Sequence, residues 1–240
     1  MSKPLFVVDS LPTGDSYTLD GPEGHHAANV QRLRAGERLL LGDGRGNVVE
    51  AEVRAAGKGT LELGLGSRTS EPAPSPRLVV VQGIAKGDRG ELAVQAMTEV
   101  GVDEIVPWSA ARSVVQWKAE RGDKSRQRWV DTAREAAKQA RRAWLPEVSA
   151  AATTAQVARR LGAAAFVLHE EAAARLATVD LPETGDVVLV VGPEGGITDE
   201  ELAAFTAAGA TPVRLGATVL RTSTAGVAAL SALSLRLDRW

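Results

Sequence analysis

Two short segments near the end of the chain combine residue types that could bind a ligand and stabilise charge. The first, Gly192–Gly196, contains three glycines and the carboxylate of Glu194, and the second, Leu215–Ala225, contains Arg221. Glycine lets a ligand approach the main chain closely, and main-chain amides and carbonyls can hydrogen-bond the edge of a heterocycle. An arginine beside such loops can hold a phosphate or neutralise a developing anion.

A predicted strand leads into each of these segments. The run Asp186–Val191 is apolar and mostly β-branched after its first residue, which indicates a strand buried on both faces of a parallel sheet. A second strand is predicted over Thr211–Leu215. We therefore expect both loops at the carboxyl edge of one sheet, where open α/β folds bind their ligands.

A helix is predicted to begin just after each loop. Thr198, followed three residues later by Glu201, forms the pattern of a capping box. Thr222 or Ser223 is expected to cap the final helix, predicted over 224–237.

The proline-rich segment Thr69–Pro76 divides the chain into two predicted domains, 1–72 and 73–240, because prolines disfavour helices and central strands. Short apolar runs between glycine-rich turns precede it and suggest a small, mostly β domain. Alternating strand and helix patterns follow it, which favours an α/β domain with a parallel sheet. The further predicted strands are Leu78–Ile84, Ile105–Trp108 and Ala165–His169, and the further predicted helices are Glu91–Val100, Ser125–Ala143 and Thr154–Leu161.

Together the two loop motifs resemble the SPOUT class of S-adenosylmethionine-dependent RNA methyltransferases, and within it the RsmE family. The similarity covers almost the whole chain and includes His25-His26, Lys86, Thr98–Val102, Arg112–Val115 and Glu135–Gln139. It implies a C-terminal SPOUT α/β domain with a trefoil knot and a mostly parallel sheet, preceded by a small PUA-like β-barrel RNA-binding domain. The family resemblance also implies a homodimer.

The activity that this resemblance implies is methylation of ring nitrogen N3 of a uridine in 16S ribosomal RNA, on the small ribosomal subunit, with S-adenosylmethionine (SAM) as the cofactor. The implied catalytic residues are Arg142, Arg221 and Gln139. The implied cofactor-binding residues are Gly192, Glu194, Gly195, Gly196, Leu215, Gly216, Leu220, Thr222 and Thr224. Residues assigned to RNA binding are His26, Arg32, Arg112, Arg126 and Lys138.

Three alternative functions stay open at this point. A nucleotide-binding enzyme could use Gly192–Gly196 as a phosphate loop, although the Gly-Lys-[Ser/Thr] ending of that motif is missing. A non-catalytic RNA-binding protein could keep the fold, since Ser223 stands where the family has Glu and Arg141 where it has Gly. A ribose 2'-O-methyltransferase of the same class could use the same cofactor loops.

The net charge of −2 hides one strongly basic stretch, because residues 112–142 hold ten basic and four acidic side chains. Local charge rather than the total attracts phosphate. Within this stretch Trp129, Ala133 and Ala136 form an apolar stripe at helical spacing, which would leave cations on the other faces. A solvated helix face is the competing interpretation.

The composition excludes several other classes of site. There are no cysteines, so disulfides and thiolate metal sites are ruled out, and adjacent His25 and His26 make a poor metal site. No apolar run approaches the ~20 residues that span a bilayer. We expect a cytoplasmic protein that needs no metal and does not enter membranes.

Overall fold

A computed structural model describes residues 3–240, and its contacts divide the chain into two compact units. The first unit comprises the residues up to Ala73 together with Ala137–Leu145, and the second comprises Pro74–Ala136 and Pro146–Trp240. The division after Ala73 lies within the proline-rich segment Thr69–Pro76. The sequence pattern does not indicate that Ala137–Leu145 belongs with the first unit.

The first unit contains a five-stranded sheet with its own apolar core. Its strands are β1 (Leu5–Val7), β2 (Ser16–Leu19), β3 (Arg38–Gly42), β4 (Asn47–Ala56) and β5 (Leu61–Ser70). They lie in the order β1-β3-β4-β5-β2, with β1 parallel to β3 and the other pairs antiparallel. Helix α1 (Gly21–His25) continues into a π-helical turn, His26–Val30. The unit is therefore mostly β, as predicted.

The second unit contains a larger, parallel sheet. Its strands are β6 (Arg77–Gly83), β7 (Glu104–Ser109), β8 (Glu147–Val148), β9 (Ala152–Thr153), β10 (Ala165–Leu168), β11 (Ala174–Arg175), β12 (Asp186–Val191) and β13 (Thr211–Arg214). Seven of them follow the order β11-β13-β10-β12-β6-β7-β8, and β9 pairs with β7. Every pairing is parallel.

Helices cover this sheet on both faces, and two separate apolar clusters form its core. The helices are α2 (Arg89–Glu99), α3 (Ala119–Gln139), α4 (Thr154–Ala158), α5 (Asp199–Ala207) and α6 (Thr222–Arg236), with a short 3-10 helix at Leu176–Thr178. The last three residues of α3 belong to the first unit. This layered arrangement agrees with the predicted α/β class.

The helix predicted over 125–143 begins earlier and ends earlier than expected, because α3 spans Ala119–Gln139. Trp129 is only 2% exposed and lies in the core, as its place on the apolar stripe predicted. Its ring meets the Trp117 ring edge-on, with centroids 4.9 Å apart. The apolar stripe on α3 therefore supports the core of the second unit.

Helix α6 packs inside its own unit. Leu230 and Leu233 are fully buried in the core around β6 and β12. The fold of the single chain therefore uses both side chains.

Candidate functional site

A cavity of about 660 Å³ lies at the carboxyl edge of the parallel sheet. The loop after β12 lines one side of it with Gly192–Ile197, and the loop after β13 lines another with Leu215, Gly216 and Thr218–Thr222. Leu168–Glu171, after the intervening strand β10, supplies a third wall. The expectation that both loops meet at one sheet edge is confirmed, and the cavity volume is typical of a small-molecule site.

Thr222 fastens the two glycine-containing loops to each other. Its hydroxyl donates to the Gly192 carbonyl oxygen at 2.8 Å and accepts a hydrogen bond from Gln82 Nε2 at 2.9 Å.

Helix α6 therefore begins without a side-chain cap, with Arg221 at the N-cap position. The predicted cap by Thr222 or Ser223 is wrong, because the Thr222 hydroxyl is bonded to Gly192. By contrast, the predicted capping box of Thr198 and Glu201 is present at the start of α5.

Arg112 packs on the first loop from outside. Its Nη1 donates to the carbonyl oxygens of Gly195 and Ile197, at 3.3 and 3.5 Å. A Cβ built on Gly195 would lie 2.8 Å from both the Cβ and the carbonyl oxygen of Arg112, which is tighter than real side chains allow. Glycine is therefore required at position 195 for this contact.

The Glu194 carboxylate ties the same loop to the start of α2. Its Oε1 accepts hydrogen bonds from the Lys86 backbone amide at 3.1 Å and from Arg89 Nη1 at 3.2 Å. Burial raises the pKa of this carboxyl, but the backbone amides of Glu194 and Lys86 and the Arg89 guanidinium outweigh that effect and lower it. Glu194 is thus an ionised anchor that contacts the beginning of a helix.

Arg221 is an exposed cation at the cavity wall. Its side chain is exposed and lines the cavity, and within residues 3–240 the guanidinium has no hydrogen-bond or ion-pair partner. It therefore makes no structural bond to the loop carbonyls in this part of the chain. Three other arginines line the cavity. Arg89 is bonded to Glu194 and Arg112 to the first loop, and Arg214, at the end of β13, is half-buried.

The structure brings most of the predicted ligand-binding residues to one place. Those that line the cavity are Gly192, Glu194, Gly195, Gly196, Leu215, Gly216, Leu220, Arg221 and Thr222. Thr224 is not among the lining residues, because its hydroxyl donates to the Arg221 carbonyl oxygen within the first turn of α6. Gln139 and Arg142 belong to the first unit, whereas the cavity is lined by residues of the second.

Two of the residues assigned to RNA binding have structural roles that their sequence pattern does not reveal. The Arg126 guanidinium donates to the carbonyl oxygens of Val148 and Ser149, and Lys138 is 7% exposed and paired with Glu23 at 3.0 Å. The prediction of Lys138 as a surface cation is corrected, because it is buried and paired with Glu23. Arg126 is half-buried, and its RNA-binding role stays a prediction.

The other residues of that set keep exposed positions. Arg32 is exposed, with a left-handed φ of 56°, and Arg112 is exposed above the first loop. His26 is half-buried with its ring edge-on to Phe6, at a centroid distance of 6.0 Å.

Sequence reasoning missed Gln82 and Gly83, at the end of β6. Gln82 is fully buried, and a Cβ built on Gly83 would lie 2.5 Å from the Pro193 nitrogen, so that the first loop rests directly on this strand end. The available signal was a single amide after four apolar residues in a buried strand. The wall Leu168–Glu171 was also missed and carries no comparable signal.

Within residues 3–240 no three His, Asp or Glu side chains are grouped so that they could hold a metal ion. In the same part of the chain, every helix is too short or too polar to cross a bilayer.

Comparisons with known proteins agree with this architecture. A family model described as an RNA methyltransferase domain matches residues 71–234, and one described as an RNA methyltransferase PUA domain matches residues 19–65. Ribosomal RNA small subunit methyltransferase E of Mycobacterium bovis is 47% identical, over 98% of this chain and 93% of its own length. The Bacillus subtilis protein of the same name is 30% identical, over 96% of this chain and 93% of its own length.

Solved structures of similar proteins lead to the same family. Ribosomal RNA small subunit methyltransferase E from Neisseria gonorrhoeae, bound to S-adenosyl methionine, matches with a TM-score of 0.86 and 27% identity over 98% of both chains. A methyltransferase from Legionella pneumophila in complex with bound SAM matches with a TM-score of 0.88 and 28% identity over 98% of both chains. The chain belongs to the ribosomal RNA small subunit methyltransferase E family of RNA methyltransferases, with an N-terminal PUA domain and a SPOUT-type α/β domain.

Proposed function

We propose that this protein transfers a methyl group from SAM to ring nitrogen N3 of a uridine in 16S ribosomal RNA of the small ribosomal subunit. The observation that carries the proposal is the cavity between the two loops, at whose wall the exposed Arg221 guanidinium has no partner among the described residues. Support comes from the names of the relatives and from the two structural relatives that hold SAM.

The residues around the cavity fit such a cofactor. Its volume suits a molecule of that size, and at Gly216 a Cβ would meet nothing within 4 Å, which leaves room beside the main chain. The lining includes both acidic and basic side chains, as a ligand with ammonium, sulfonium and carboxylate groups requires. Gly192–Gly196 and Leu215–Leu220 would hold SAM, which supplies an electrophilic methyl group when bound.

The chain's own contribution to the chemistry is positioning and charge stabilisation. N3 of uracil is a weakly acidic imide nitrogen that attacks well only as its proton leaves, so negative charge develops on the uracil oxygens. Arg221 would stabilise that charge, and one such donor is worth roughly 10²–10³ in rate. Arg142 and Gln139, in the first unit, are proposed to contact the RNA. His26 and Arg32 of the same unit, and Arg112 and Arg126 of the second, are proposed to bind it as well.

Four further properties belong to the same proposal: a trefoil knot in the second unit, a homodimer, a cytoplasmic location with the ribosomal substrate, and a reaction without metal. The dimer has a direct test, since light scattering would report twice the 25.1 kDa of one chain. A monomeric mass would contradict it.

The function is tested by incubating the protein and labelled SAM with small ribosomal subunits from a strain that lacks the modification, followed by nucleoside analysis. We expect 3-methyluridine. A 2'-O-methylated nucleoside would indicate the ribose methyltransferase. SAM binding without product would show that the substrate is wrong, and neither binding nor product would favour the non-catalytic RNA-binding protein. Binding of ATP with magnesium instead would favour the nucleotide-binding enzyme.

A further inference from the structure

We infer that Gln82 is a positioning residue: its amide sets the direction of the Thr222 hydroxyl and so holds both loops of the cavity in place. The inference rests on the proposed function, because it concerns the site to which SAM is assigned. Gln82 follows four apolar residues of β6 and is fully buried, so its amide must serve some contact within the protein.

The direction of the hydrogen bonds follows from the chemistry of the groups. An amide nitrogen only donates, so the Thr222 oxygen accepts from Gln82 Nε2 at 2.9 Å. A hydroxyl has a single proton, which is then left for the Gly192 carbonyl oxygen at 2.8 Å. Gln82 therefore prevents the Thr222 hydroxyl from turning away from Gly192.

Both ends of this connection belong to the cavity wall. Gly192 begins the first loop, and Thr222 ends the second loop and begins α6. The main chain at Gly83, next to Gln82, is in contact with Pro193, so the first loop also rests on the same strand end. Loss of the amide donor would therefore loosen both loops together.

The amide oxygen of Gln82 indicates that the protein uses this side chain as a hydrogen-bond donor rather than as an acceptor. Within the described residues, Gln82 Oε1 is buried and has no hydrogen-bond partner. A buried, unpartnered carbonyl costs stability, so an apolar side chain would serve the core better. We expect Gln82→Leu to unfold at the same or a higher urea concentration than the wild type, while it binds SAM more weakly.

Gln82→Glu is the sharpest test, because it keeps the shape and replaces the donor with a group whose donor ability depends on pH. A neutral carboxyl can still donate to Thr222, whereas a carboxylate only accepts and would draw the hydroxyl proton away from Gly192. Burial raises the pKa of such a group, to as high as about 8–9 in documented cases. Val191 and Pro107 pair with Gln82 in the sheet, and Gly83, Thr222 and Gly226 lie beside its amide. None of these five residues carries an ionisable side chain.

The dissociation constant for SAM is measured by calorimetry from about pH 6 to about pH 9.5, and each variant is expressed as a ratio to the wild type at the same pH. The ratio cancels any pH dependence that both proteins share, since the charged side chains around the cavity, among them His169, Glu194, Arg89 and Arg221, are the same in both. For Gln82→Glu we expect a ratio near one at low pH that rises roughly tenfold as position 82 ionises. For Gln82→Leu the ratio should be above one and the same at every pH.

Ser234→Ala is the matched control. Ser234 is another buried polar residue of α6, and its hydroxyl has no partner within the described residues. Its SAM affinity should equal that of the wild type. A pH-independent ratio for Gln82→Glu together with wild-type affinity for Gln82→Leu would overturn the inference.

Hydrogen–deuterium exchange without cofactor decides the inference separately from the proposed function. Thr222→Val and Gln82→Leu should speed exchange in 192–197 and 215–222 together, and Thr222→Ser, which keeps the hydroxyl, should restore the wild-type rate. Unchanged exchange in both Thr222→Val and Gln82→Leu would refute the inference, even if Gln82→Glu failed to fold. Faster exchange with no SAM binding by the wild type would instead refute the proposed function alone.

Discussion

Arg112 lies so close to Gly195 that position 195 has no room for a side chain. The Arg112 guanidinium donates to the Gly195 carbonyl oxygen at 3.3 Å, and a Cβ on Gly195 would come within 2.8 Å of the Arg112 Cβ. The neighbouring atoms are Cβ and main chain rather than the end of a flexible side chain, so the loop itself would have to move.

Gly195→Val is therefore expected to weaken SAM binding by roughly tenfold or more, since forced overpacking typically costs about 1–3 kcal/mol. Calorimetry with SAM is the measurement. Gly162→Ala serves as the control, because a Cβ there meets nothing within 4 Å. Wild-type affinity in Gly195→Val would show that the loop shape is not needed for binding.

Arg221→Ala is expected to slow methyl transfer by a factor of roughly 10²–10³, with little change in SAM affinity. The reason is that the guanidinium lines the cavity and has no partner in the described chain, so it is free to act on the substrate. Single-turnover rates and calorimetry separate the two effects. Arg159→Ala removes another exposed arginine outside the cavity and should change neither. An equal loss of affinity and rate would make Arg221 a cofactor-holding residue instead.

Arg141 adopts a left-handed φ of 54°, where the resembling family has glycine. This conformation costs a non-glycine residue about 1–2 kcal/mol, and glycine's extra unfolded-state freedom offsets about 0.5–1 kcal/mol of the gain. Arg141→Gly should therefore raise the free energy of unfolding by about 0.5–1 kcal/mol, measured by urea denaturation.

Arg128→Gly is the matched comparison for that variant. Arg128 is an exposed residue inside α3, so glycine there should destabilise the protein by about 1 kcal/mol. Destabilisation by both variants would mean that the Arg141 side chain contributes more than its backbone strain costs.

The ionisation of Glu104 makes the free energy of unfolding depend on pH. Its side chain is 4% exposed, and it pairs with Arg77 at 2.9 Å and Arg160 at 2.7 Å. Burial raises the pKa of the carboxyl, but the hydrogen bond from Ser149 and the two arginines outweigh burial, so the pKa is below its ordinary value of 4.5. The stabilisation is therefore fully present above pH 4.5 and is lost as the pH falls through the lower folded-state value.

Glu104→Gln should lower the free energy of unfolding by about 2 kcal/mol at neutral pH, below the 3–5 kcal/mol of a fully buried pair because both arginines reach solvent. The difference from the wild type should shrink as the pH falls below 4.5. Asp186→Asn, which removes a more exposed partner of Arg77, should have a much smaller effect. A difference that is the same at every pH would contradict the assigned role of the charge.

Lys138→Met should destabilise the protein by about 2–3 kcal/mol, because it removes the buried ammonium that pairs with the Glu23 carboxylate. Urea denaturation and RNA binding by filter retention are measured side by side, with exposed Lys118→Met as the control. A loss of RNA affinity at unchanged stability would restore Lys138 to the RNA-binding set.

The features that the sequence predicts are local ones. Thr198 and Glu201 lie three residues apart, and their capping box forms as expected, because both partners are in the same turn. Thr222 fits the pattern of a cap equally well, but its hydroxyl bonds to Gly192, thirty residues earlier in the chain. A contact at that separation competes with the local one and is invisible in the sequence around Thr222.

The contacts of charged side chains are equally hard to predict from the sequence. Arg126 and Lys138 lie in a stretch that has every mark of a solvated surface, and their partners at Val148, Ser149 and Glu23 come from distant segments. The composition of the sequence shows that cations are present, but it does not show which of them are bonded to other parts of the protein. The cavity walls were predicted better, because glycine loops after buried strands have a fixed place in a parallel sheet.

The assignment of Ala137–Leu145 to the first unit has a consequence for how the chain matures during translation. The Gly46 amide donates to the Ala143 carbonyl oxygen, and the Leu145 amide donates to the Gly44 carbonyl oxygen, at 3.0 Å in both cases. Domains usually fold in order as they leave the ribosome. Here the first unit cannot complete its contacts until residue 145 has emerged, by which time β6, α2, β7 and the whole of α3 have already left the ribosome. A recombinant fragment that stops at residue 73 therefore lacks part of the first unit.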